Sequence, residues 1–139
     1  MLVNRAYVPP ELVGGPEGDG WPWDVPCVKE LVGEGIVFDA PVTFLVGENG
    51  SGKSTIVEAI AEAYGLDGRG GRAGRKYGND RPPSVLGGAV RLDLTSAGTR
   101  MVTGPRTRKK GYFLRAETAF GLMERCGGSR ATGRRTPRR

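Results

Sequence analysis

Histidine is absent from the 139 residues, which removes Ser-His triads, imidazole general bases and histidine metal ligands from the chemistry available. Any reaction at this chain must use carboxylates, lysine, arginine or a bound metal. Cysteine is nearly absent too. Cys27 and Cys126 lie far apart and form no C-x-x-C pair, so neither a zinc site nor a disulfide framework follows, and two ordinary thiols are expected. No apolar run approaches the roughly 18 residues of a membrane span, so the expected setting is cytoplasmic. Apolar residues are 37% of the chain, enough for one modest core. Acid is missing from one region only. The six arginines from Arg125 onward meet no Asp or Glu and account for the whole net charge of +6. The body of the chain is therefore neutral. An arginine-rich tail of this kind offers salt-sensitive phosphate affinity, and nucleic acid is the alternative partner it raises.

Leu2 to Val8 reads as a first strand, followed by a Pro- and Gly-rich loop to Gly20. Trp21-Pro22-Trp23-Asp24-Val25-Pro26 sets two large rings beside two prolines and is expected to pack from an extended segment. These rings, or Tyr7, could anchor the core or stack on a base. Gly35 to Phe38 and Val42 to Val46 are two β-rich runs, and the second, almost wholly apolar, has the character of a strand buried on both faces of a parallel sheet. Ile56, Ile60 and Tyr64 recur four apart while Glu58 and Glu62 take another side, so Lys53 to Tyr64 is predicted to be an amphipathic helix stopped by Gly65. The Gly- and Arg-rich stretch 65–83 is expected to be a mobile excursion. Val90 to Leu94 alternates as a half-buried strand does, with Arg100 to Thr103 as its expected hairpin partner. Tyr112 to Leu114 makes a further short strand and Ala116 to Met123 begins a helix. The tail, 125–139, is expected to be disordered.

Between the second run and the helix stands Gly47-Glu48-Asn49-Gly50-Ser51-Gly52-Lys53-Ser54-Thr55, which fits G-x-x-x-x-G-K-[ST] at every fixed position and sits between a strand and a helix as a phosphate loop must. Physical chemistry explains the residue types. A triphosphate concentrates negative charge, and amides converging on a helix N-terminus receive it. Gly47, Gly50 and Gly52 keep Cβ atoms out of the way and permit turned-in amides. Lys53 is placed for the β- and γ-phosphates, the Ser54 hydroxyl for magnesium, and Thr55 for the α-phosphate. The cofactors expected are ATP and Mg2+.

The run from Val42 through the loop to Ala61, in its Gly-Glu-Asn-Gly-Ser-Gly-Lys-Ser-Thr form, resembles AAA-labelled bacterial ATPases with ABC-type, SMC-like heads. Trp21 to Pro26, the strand pair and Gly111-Tyr112-Phe113-Leu114-Arg115-Ala116-Glu117-Thr118-Ala119-Phe120 resemble one subgroup of them. The resemblance implies an α/β P-loop NTPase, with residues 1–124 as the N-terminal part of an ABC-type domain built on a parallel core strand plus antiparallel strands. It implies ATP hydrolysis by paired heads, a possible homodimer, and a polar residue after a strand that contacts magnesium and water. Arg115 and Glu117 are the candidates for that last role. A Leu-Ser-x-Gly-Glu signature and an apolar strand ending in Asp-Glu do not occur in the chain. Ile36-Val37-Phe38-Asp39 precedes the loop, in the wrong order for the second of these. An incomplete sheet is therefore expected, in a truncated or frameshifted form, a reading that the Arg-Gly-Pro-Thr composition of the tail also fits.

Overall fold

A computed structural model describes residues 1–14, 20–68, 70–72, 82–103 and 111–115. It is a mixed α/β arrangement around a small antiparallel sheet. Strand β1 (Val3–Tyr7) is central. It pairs on one side with β2 (Ile36–Val37), and on the other with β4 (Arg91–Leu94), which follows the helices α1 (Pro26–Lys29), α2 (Lys53–Tyr64) and α3 (Val85–Ala89) and the strand β3 (Gly71–Arg72) in the chain. Helix α4 (Ser96–Thr103) follows, and β5 (Tyr112–Phe113) pairs antiparallel with β3 in a separate two-stranded ribbon.

The core lies between the sheet and α2. Ala6 and Val8 from β1 and its extension meet Val28 and Leu31 from the α1 region, Ile56 and Ala59 from α2, and Leu86, Ala89 and Val90. Alternation in β1 explains why Ala6 points inward and is fully buried, whereas Arg5 faces the other way. Arg5 sits opposite Asp93 across the β1–β4 ladder and donates to its carboxylate at 2.8 Å. Trp23 is 7% exposed and belongs to the core. It does so from a turn leading into α1, started at Pro26, and not from the extended segment that the prolines imply.

Helix α2 has the predicted limits. Its C-terminus is closed by Gly65 at φ 86°, whose N–H donates to the Glu62 carbonyl while that of Leu66 reaches Ala61, the usual glycine stop. Two other expectations are corrected. Arg100 to Thr103 is helical within α4 and is no hairpin partner of β4. Thr95 decides this, because its hydroxyl accepts from the Gly98 N–H at 3.0 Å and caps the helix, while β4 finds its partner in β1. Val42 to Val46, expected as a buried parallel strand, carries no strand pairing among the described residues. It has no regular secondary structure, with Phe44 82% and Val46 92% exposed and Leu45 alone turned partly inward. The sheet described is antiparallel and does not include this segment. Most of 65–83, the helix expected from Ala116, Glu117 and the arginine tail fall outside the described residues, as does Cys126.

Helix α3 was not foreseen, and its five residues include two glycines. Packing and a side-chain cap hold it. Leu86 is buried against α2, contributing about 2 kcal/mol, and Ser84 caps the helix by accepting from the Gly87 N–H. Glu62 of α2 in turn accepts from the Ser84 N–H at 2.9 Å and from its hydroxyl. Gly87 lies so close to Glu62 that an added Cβ would stand 2.9 Å from the Glu62 Cβ and collide with its carboxylate. Alanine for glycine inside a helix ordinarily gains about 1 kcal/mol. Gly87→Ala is expected instead to lose about 1–3 kcal/mol, the usual cost of overpacking. Urea denaturation checks this, and a variant as stable as the parent would contradict the contact.

Candidate functional site

Segment 42–46 delivers the chain into the glycine loop, and α2 leaves from the loop at Lys53. Two of the loop's glycines take left-handed backbone angles, Gly50 at φ 82° and Gly52 at φ 94°. Gly52 is the residue before the helix and offers no side-chain cap. The opening amides of α2 have no partner within the helix by its geometry, and they stand beside the positive end of a 12-residue dipole. Groups of this sort on an exposed loop are able to receive an anion.

The Lys53 side chain folds back over the loop. Its Nζ donates to the Gly47 carbonyl at 2.8 Å, to the Glu48 carbonyl, and to the Ser51 hydroxyl at 3.3 Å. Backbone carbonyls thus hold the ammonium across the mouth of the loop. Glu48 and Asn49 are exposed, Ser51 and Thr55 are half-buried, and the Ser54 side chain is exposed. Gly47, the third of the expected glycines, does not have a positive φ. Its need is for space, since a Cβ there would lie 3.0 Å from the Ser51 oxygen.

Lys53 and Ser54 also line a cleft of about 520 Å3. Its walls are largely apolar, from Ile36 of β2 and Phe38 just after it, Leu45 of the segment before the loop, Val57 and Ile60 of α2, and Phe113 of β5. Arg115, just past β5, lines the same cleft. Its Nη1 donates to Glu58 Oε2 at 3.0 Å and to the Gly68 carbonyl at 3.4 Å. The fold thus brings Arg115 to Lys53 and Ser54 from some 60 residues further along the chain. Glu117, its rival in the sequence, lies outside the described residues.

Sequence reasoning passed over Glu58 as one acid on the second side of α2. Its signal was available, because Glu58 stands four residues after Ser54 and so one turn along the same face. The other candidates separate from the site. Asp39 is exposed beyond β2. Trp23 is buried in the core, and Tyr7 carries the Arg5 guanidinium 4.2 Å above its ring, a cation–π contact. Trp21 is exposed. Among the described residues no group of three or more His, Cys, Asp or Glu could hold a metal ion, and no helix is long and apolar enough to cross a membrane.

Comparison with known proteins adds one match. The model of a family described as an AAA domain matches residues 30–116, a span that includes the loop, α2 and β5. No curated protein and no solved structure matches the chain.

Proposed function

Because the chain belongs to the AAA domain family, a nucleotide-binding, ATPase-like family, we propose that it binds ATP with magnesium through Gly47 to Thr55, the Walker A loop of an ABC-type module. The observation that carries this reading is the junction of loop and helix. Left-handed glycines lead into an uncapped helix N-terminus, and a lysine ammonium is held across it by carbonyls. Phosphate oxygens are better partners for that ammonium than carbonyls, because they add the attraction of an opposite charge to the hydrogen bond. In this reading the amides of Gly50 to Lys53 receive the β-phosphate, Lys53 spans the β- and γ-phosphates, and Thr55 meets the α-phosphate.

The residues fit magnesium in a limited way. Mg2+ prefers oxygen ligands in octahedral geometry and commonly takes only one or two from protein, the rest coming from water and phosphate. The exposed Ser54 hydroxyl lies in the cleft beside Lys53 and supplies one such ligand. Magnesium bound there would neutralise phosphate charge. Hydrolysis demands more, because a water must be oriented and the metal held by further acid. No Leu-Ser-x-Gly-Glu run and no apolar strand ending in Asp-Glu stand in the 139 residues. The activity assigned to this chain is accordingly binding.

Calorimetric titration of the purified chain with ATP, with and without magnesium, tests the reading. Saturable binding that weakens on chelation of the metal is the expected result, with phosphate release at background. Absence of saturable binding would overturn it.

A further inference from the structure

The glycine loop and the cleft leave one apolar surface without a role. Segment 42–46 divides its side chains by alternate residues, a period of two. Thr43 and Leu45 line the cleft beside α2. Val42, Phe44 and Val46 are not among its walls and stand 65%, 82% and 92% exposed. Three large apolar side chains so placed offer on the order of a few hundred Å2, the size at which a surface patch marks a site of association.

Charge decides the kind of partner. From Ala40 to Gly47 the chain has no charged side chain, so a strongly acidic or basic partner gains nothing there. The first charges outside are Asp39 and Glu48, both acidic. When the segment meets an identical one antiparallel about Phe44, Val42 lies opposite Val46, Asp39 opposite Asn49 and Glu48 opposite Ala40. No like charges are opposed, and every exposed apolar side chain meets another. Parallel in-register stacking, the route to open-ended association, sets Asp39 against Asp39 and Glu48 against Glu48.

We infer that this face is an interface with a second copy of the chain. The contact is two-fold, with Val42, Phe44 and Val46 of each copy packed together and Phe44 on the axis. It needs no nucleotide and stands apart from the ATP-binding reading. Its area falls short of the roughly 800 Å2 per partner of a standard interface, so the dimer is weak, with a Kd above about 1 μM, the weak end of what standard interfaces reach.

Sedimentation equilibrium of the full chain without nucleotide, from about 1 μM upward, tests this. A monomer–dimer equilibrium that goes no further is the expected result. Phe44→Asp sets two carboxylates on the axis and is expected to weaken dimerisation at least about tenfold, with the fold kept because Phe44 is so exposed. Trp21→Asp, at an exposed aromatic on another segment, is expected to leave it unchanged. Register is read by cross-linking with a bifunctional maleimide, in a background of Cys27→Ala and Cys126→Ala. Phe44→Cys chains should join one another, and Val42→Cys chains should join Val46→Cys chains in a mixture more readily than they join themselves.

A parent chain that stays monomeric overturns the inference. Protection of Val42 to Val46 from hydrogen exchange would then assign the face to the chain's own residues 116–139, and a monomer copurifying with another protein would assign it to that protein. Association that appears only with ATP, that continues past the dimer, or that Phe44→Asp leaves unmoved overturns it equally. Each of these outcomes leaves the loop reading standing.

Discussion

Lys53→Ala is expected to weaken ATP binding by about 10- to 100-fold, the loss that follows when a charged hydrogen-bonding partner worth about 1.5–3 kcal/mol is removed. The fold should survive the change, because among the described residues the ammonium bonds only to the loop, at the Gly47 and Glu48 carbonyls and the Ser51 hydroxyl. In the proposed reading Lys53 has two tasks, shaping the loop and meeting phosphate. Lys53→Arg separates them. A guanidinium is planar and larger than an ammonium and cannot converge on the same carbonyls as a point charge does, so full charge with the wrong shape should recover only part of the affinity. Calorimetry gives the affinity and thermal denaturation the stability. Unchanged affinity in a folded Lys53→Ala chain would remove the loop from the nucleotide site.

Gly52→Ala is expected to damage both stability and binding. Its φ of 94° is a conformation that costs a residue with a Cβ about 1–3 kcal/mol. The Cβ would also stand 2.5 Å from Val25 Cγ1, with Cys27 Cβ 3.7 Å away, so overpacking adds about 1–3 kcal/mol. The two costs fall on different structures. Strain falls on the loop and displaces the amides that begin α2, whereas the clash separates α2 from the α1 region. Combining Gly52→Ala with Val25→Ala should recover the clash and leave the strain, seen as partial recovery of the urea midpoint with nucleotide affinity still depressed. Full recovery of both would mean that the backbone angle at Gly52 is not needed.

Parts of this molecule could be read without coordinates because their causes are local. The spacing of Ile56, Ile60 and Tyr64 and the stop at Gly65 define α2 residue for residue, since helix periodicity and a left-handed glycine involve only neighbours in the chain. The glycines and Lys53 are legible for the same reason. Other signals were local but overlooked. Thr95 and Ser84 are both good helix caps, and they mark the starts of α4 and α3, yet weak helix formers after them hid both helices. Val42 to Val46 shows the reverse error. Its composition describes a strand that could be buried on two faces, but burial depends on which strands lie beside it, and β1, the centre of the described sheet, takes Ile36–Val37 and Arg91–Leu94 as partners.

What the amino-acid sequence determined by itself is the glycine loop, the helix it opens and the cation at their junction, because a turn at glycines and a helix's periodicity are set by contiguous residues. Only the tertiary structure decided that the sheet is antiparallel, that Trp23 serves the core, and that Arg115 reaches Glu58 across the cleft from Lys53 and Ser54. Each of these is a pairing of distant segments. Such pairings are set by competition among many possible partners for the same buried surface and the same backbone hydrogen bonds, and no local pattern encodes the winner.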